Sequence, residues 1–181
     1  MINRKTLPGK TRGFSLIELL IAMVILSILT AIAYPSFQRI IIRTKLNADS
    51  TLFSQDLAFM KGKAKTRTGS TITMCPSSDG ASCTGGAWGT GRIIFFDENA
   101  DGIVTVGKDE LLEVRAASGG TSVITVTGFN SGANIQYKST GEARYSGVVK
   151  LCDSKLPGNF GISQSVLITG MVHKTTSVTC P

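Results

Sequence analysis

Glu18 is the residue with the most chemistry to explain. It stands in "FSLIELLIAMVILSILTAIAY", residues 14–34, where it is the one side chain charged at neutral pH. A carboxylate inside a bilayer-crossing helix costs up to about 3 kcal/mol at mid-depth and less near an end, so its presence marks function. Ahead of it Arg4, Lys5, Lys10 and Arg12 form a basic cluster with no acid, ending at Gly13. A cut between Gly13 and Phe14 would remove those cations and create a free amine on Phe14, one helical turn from Glu18. The acid would then lie near the positive end of the helix dipole and could meet the amine of a neighbouring identical helix. In an apolar bundle such a pair fixes axial register, because any slip leaves a charge unpaired.

Three other constellations could carry chemistry. "DENADG" places Asp97, Asn99 and Asp101 at alternate positions before Gly102, as a calcium loop would. The twelfth position, where a bidentate Glu belongs, is Lys108, and Asp109 and Glu110 arrive late. An Asx-type hairpin turn, its side chains capping backbone N–H groups, is therefore expected, with a bound cation as the alternative. Cys75, Cys83, Cys152 and Cys180 lack the close pairs of a zinc site. Local disulfides Cys75–Cys83 and Cys152–Cys180 are expected among three possible connectivities, each worth roughly 2–4 kcal/mol. His173 is the single histidine and has no acid or nucleophile near it in sequence. With no Gly-Lys-Ser/Thr phosphate loop and no nucleophile elbow, the sequence points to a protein that is not an enzyme and needs no cofactor.

The elements that must position these residues follow from composition and period. The chain has 181 residues, 42% hydrophobic, which suffices for one globular domain plus a separate element. Net charge is +7, of which the first thirteen residues supply +4, leaving +3 from Phe14 onward. Residues 14–34 at 1.5 Å each span roughly 30 Å, the thickness of a bilayer's hydrocarbon core. The basic leader stays cytoplasmic, and everything after Pro35 lies outside, where disulfides persist. A secretory signal cut near Ala31–Ala33, or a plain anchor, would share this topology but leave Glu18 unexplained.

Beyond Pro35 a helical stripe resumes at Leu46, Phe53, Leu57, Met60 and Ala64, and Gly69 closes it. One helix over residues 14–67, about 80 Å long, is expected. From Ser70 the period becomes two: "STITMC", "GRIIFFD", "ELLEVRA", "TSVITVTG", "NIQYKS", "GVVKLC" and "SVLITGMV" read as short strands. Gly85-Gly86, Asp101-Gly102, Gly119-Gly120 and Pro157-Gly158 supply turns. Trp88 is expected as a hydrophobic plug under its loop. The fold class is α+β: a lollipop of one long N-terminal helix, hydrophobic in its first half, packed on an antiparallel β head over residues 68–181.

"RGFSLIELLIAMVILSIL" resembles the class III leader and N-terminal helix of type IV pilins and type II secretion pseudopilins. The resemblance implies that prepilin peptidase removes residues 1–13, cutting after Gly13, and methylates the new N-terminus at Phe14. It implies that Glu18 supports docking into a growing filament, and that Pro35 locally disturbs the helix. "MCPSSDGASCTGGAWGTGRIIFFDENADG", with the later "GEARYSG" and "KLC", is similar to the GspH/FimT branch, which includes FimU-type minor pilins. The implied function is that of a minor pilin which primes pilus assembly and forms part of the tip complex. Its partners would be prepilin peptidase, other minor and major pilins, and the inner membrane, with the head periplasmic before extraction. A GspH-type pseudopilin of a type II secretion system is the alternative. DNA uptake is a third reading, since some FimT-type relatives bind DNA through a C-terminal glycine-arginine loop. Here Met171 stands at that arginine, leaving Lys174 and Arg144 as weak candidates, with Lys150 and Lys155 nearby in kind. A net +3 is thin for a protein that must neutralise several phosphates.

Overall fold

The computed structural model describes residue 13 and residues 15–118, 121–129 and 133–181. One helix, α1 (Leu16–Ala64), is followed by eight strands: β1 (Thr71–Pro76), β2 (Arg92–Asp97), β3 (Glu110–Arg115), β4 (Ser122–Gly128), β5 (Ile135–Lys138), β6 (Gly147–Asp153), β7 (Gly158–Val166) and β8 (Val172–Cys180). A short 3-10 turn, Trp88–Thr90, precedes β2. The chain divides into two compact units at Ile40/Ile41.

In the first unit α1 is apolar on every face and exposed throughout, from Leu16 at 82% to Ile40 at 58%. A helix with no polar face cannot be stable in water as a lone element, and this one is long and apolar enough to cross a membrane. Two of its hydroxyls bond within the helix: Ser27 Oγ donates to the Val24 carbonyl at 2.7 Å, and Thr30 Oγ1 to the Leu26 carbonyl at 2.9 Å. Pro35 sits inside the helix without ending it. The ring removes one N–H, so the Ala31 carbonyl loses its helical donor.

In the second unit the remainder of α1 buries Leu46, Phe53, Leu57, Met60 and Ala64, each at 2% exposure or less. That stripe is the one the sequence spacing predicts. It joins a core with Ile72, Met74, Ile94, Phe96, Ile135 and Tyr137 from one sheet and Ile124, Val149, Leu151, Ile162 and Val166 from another. The sheets are four-stranded and antiparallel, ordered β3-β2-β1-β5 and β4-β6-β7-β8. The α+β class holds, with the head built from two sheets. Alternation places Ile94 and Phe96 in the main core and Ile93 and Phe95 with Cys75 in a smaller cluster on the opposite face. This two-sided burial explains why "RIIFF" is apolar without interruption. Trp88, 4% exposed, packs against Phe53 with ring centroids 6.0 Å apart, as a plug beneath its loop.

Two expected boundaries move. The helix ends at Ala64, short of Arg67, where Thr66 N–H turns back to the Lys63 carbonyl and Gly69 takes φ +89°. "SVLITGMV" is two strand ends around a turn: β7 stops at Val166, residues 167–171 reverse the chain, and β8 starts at Val172. Leu167, Ile168 and Met171 keep the turn apolar although all three are exposed, so strand period alone misassigns it. Cys152–Cys180 ties the C-terminal strand β8 to β6 across β7, while Cys75–Cys83 closes the loop after β1. Gly161 is needed beside the first of these bonds, since a Cβ there would lie 2.6 Å from Cys180 Sγ and 2.8 Å from the Val178 carbonyl.

Candidate functional site

The N-terminus of α1 holds the site that sequence reasoning centres on. Gly13 is exposed, and Phe14, the expected new N-terminus, lies outside the described residues, as does the leader before Gly13. Ser15 precedes the helix: its carbonyl accepts from Glu18 N–H at 3.0 Å and Leu19 N–H at 3.2 Å. Its own N–H donates to Glu18 Oε2 at 3.4 Å. This is half of a capping box, Ser-x-x-Glu, in which the acid at the third helical position satisfies an orphan N–H one turn back. Glu18 therefore has a task within its own subunit besides the intersubunit pairing expected from sequence. The signal for it is the four-residue pattern "SLIE", embedded in an apolar run. The long bond and exposed carboxylate leave Glu18 lone pairs for a second donor.

The "DENADG" segment is a turn held together by its own acids. Asp97, fully buried, accepts through Oδ2 from Thr73 Oγ1 at 2.7 Å, Gly102 N–H at 2.9 Å and Gln136 Nε2 at 3.2 Å. Its Oδ1 accepts from Asp101 N–H at 3.2 Å. Asn99 donates to Asp101 Oδ2 at 2.7 Å, and Asp101 Oδ1 accepts from Ile103 N–H at 2.8 Å. Asp109 caps Glu98 N–H and Thr105 N–H at 3.0 and 2.6 Å. Carboxylates committed to N–H donors must surrender those bonds before they can ligate a cation. Millimolar calcium is therefore expected to leave the thermal midpoint unchanged; a rise that chelator reverses would restore the cation reading.

Beneath the helix lies an ion network that the sequence conceals. Asp56, fully buried on α1, receives Arg92 Nε at 2.7 Å together with Arg92 Nη2, and Arg115 Nε at 2.8 Å on its other oxygen. Arg92 is 5% exposed and rests over the Phe53 ring at 4.9 Å. The hydrogen bond to Asp56 holds the Arg115 guanidinium above its ordinary pKa, and Glu113 adds attraction at 2.9 Å. The partners lie 36 and 59 residues apart in the chain, so no local pattern announces them. In the Cys75–Cys83 loop Asp79 is held well below the usual carboxylate range, first by the Ser82 hydroxyl and then by the Ala81 and Ser82 N–H groups.

The remaining candidates are scattered. Arg144 donates to the Ala100 carbonyl at 2.8 Å and lies near the Tyr145 ring, while Lys174 is exposed on β8 opposite Gln164. Among the described residues no hydrogen bond or ion pair joins the two. His173, exposed on the same strand, faces Ser165 across the ladder.

α1 is long and apolar enough in its first half to cross a membrane and seats antiparallel sheets with its second, the arrangement of the pilin fold. Residues 9–34 match the prokaryotic N-terminal methylation motif, and residues 50–170 match the type II transport protein GspH family. The chain belongs to the GspH family. Two crystal structures of the Pseudomonas aeruginosa (strain PAO1) type IV minor pilin FimU share its fold. The first, in space group P21, is 14% identical with a TM-score of 0.56, covering 75% of this chain and 91% of that one. The second, in space group P65, is also 14% identical, with a TM-score of 0.53 and coverage of 73% and 94%. No curated protein matches the sequence at comparable significance.

Proposed function

We propose that the protein is a minor pilin: a non-enzymatic, low-copy filament subunit that primes type IV pilus assembly and sits in the tip complex. Prepilin peptidase cuts after Gly13 and methylates Phe14, leaving residues 14–34 as the inner-membrane and filament-core segment and residues 68–181 as the periplasmic head. On extraction, Glu18 receives the amine of an adjoining pilin. The single observation that carries this reading is an exposed carboxylate, already capping its own helix, at the start of an apolar helix that matches the methylation motif. Gly13→Ala is expected to leave the leader attached, read as a species heavier by the mass of residues 1–13. Normal processing of that variant would place the cut elsewhere.

A second reading is a GspH-type pseudopilin, the protein that the family's description names, with the same helix docking in a secretion filament. The DNA reading draws less support, since Arg144 is committed to a backbone carbonyl.

A further inference from the structure

One end of the second unit combines two properties that folding does not require. The β7–β8 turn is tight, with Leu167 N–H donating to the Met171 carbonyl at 2.9 Å and Gly170 N–H to Leu167 at 2.8 Å. Around it Leu167, Ile168, Met171 and Val172 are 42%, 57%, 52% and 37% exposed. Four apolar side chains within six residues leave this one turn with exposed apolar surface, which can mark an interaction site.

The patch is braced. Lys61 Nζ donates to the Gly170 carbonyl at 2.9 Å, and Ala143 N–H donates to the Ile168 carbonyl at 2.9 Å. The neighbouring turn, residues 138–142, packs so closely that a Cβ on Gly170 would lie 2.3 Å from the Gly141 carbonyl. Lys65 lies over Gly141 in turn, its Cε 2.4 Å from where a Cβ would be. Lys65, Lys138 and Lys174 are exposed on these converging segments, and Lys61 is half-buried. Glu142 is the one acid among residues 61–65, 138–143 and 167–174.

We propose that this basic, apolar turn docks on an anionic phospholipid surface. Ile168 and Met171 enter the interfacial zone while Lys65, Lys138 and Lys174 face the phosphates. Apolar burial and attraction to anionic headgroups are the two contributions that hold a peripheral element at a bilayer. A nucleic-acid backbone would use the lysines but offers nothing to the apolar side chains. A braced turn also suits insertion, because little conformational entropy remains to be lost on binding.

The test uses the full chain anchored through α1 in phosphatidylcholine nanodiscs and mixed with separate vesicles. Co-sedimentation is expected with vesicles containing phosphatidylglycerol and not with phosphatidylcholine vesicles, and it should weaken in high salt. Lys65→Glu with Lys138→Glu should reduce partitioning by at least about tenfold. Ile168→Asp with Met171→Asp should abolish it, and these exposed positions should leave the melting temperature unchanged. In the Ile168→Trp variant, brominated phosphatidylglycerol should quench emission that Trp88, buried, does not lose. Equal partitioning of parent and Ile168→Asp/Met171→Asp chains overturns the proposal. So does retardation of duplex DNA without vesicle binding.

Discussion

Glu18→Ala is expected to give a chain that is cleaved after Gly13 and inserted in the membrane, yet is nearly absent from filaments. The proposed cleavage is directed by the leader, which the substitution does not touch. In the proposed assembly, incorporation needs this acid to offset a buried amine from a neighbour, and an unpaired charge in an apolar bundle costs several kcal/mol. The capping geometry supplies a sharper control. Gln at the third helical position still accepts from the Ser15 N–H, so Glu18→Gln keeps the cap and loses only the negative charge. If the intersubunit pair carries docking, Gln fails as Ala does, measured as the ratio of the subunit in sheared filaments to that in membranes. Rescue by Gln would assign the residue to its own helix.

Asp56→Ala is expected to destabilise the head by about 3–5 kcal/mol, because it leaves Arg92 buried without a counter-charge. Urea unfolding of the detergent-solubilised chain, followed by the fluorescence of its single tryptophan beside Phe53, reads this directly. Arg115→Met should cost less, since that side chain is one-third exposed and Asp56 keeps Arg92. A shift below about 1 kcal/mol for Asp56→Ala would mean that water reaches the network and screens it.

These two residues mark the limits of what the sequence makes legible. The stripe from Leu46 to Ala64 was readable because helical burial recurs at fixed spacing, and "RIIFF" because β burial concentrates apolar residues. β8 was not readable. "HKTTSVTC" is polar and exposed along nearly its whole length, and its ladder slips twice against β7, with Ser177 at φ +63°. An edge strand held by backbone bonds and one disulfide leaves little trace in side-chain pattern. Asp56 is illegible for a different reason: its partners come from β2 and β3, and only the tertiary fold brings them to the helix. The same holds for Gln164, buried on β7 and donating to the Ser50 carbonyl at 2.6 Å. Glu18 is the contrary case, where a four-residue pattern stated a local role that its apolar surroundings overshadowed.

Every step of the assembly account begins with one covalent event, and the intact mass of the membrane-extracted chain reports it. A polypeptide starting at Phe14, heavier than the unmodified residues 14–181 by one methyl group, is the predicted result. A chain beginning at Tyr34, or one still carrying Arg4, Lys5, Lys10 and Arg12, would contradict it.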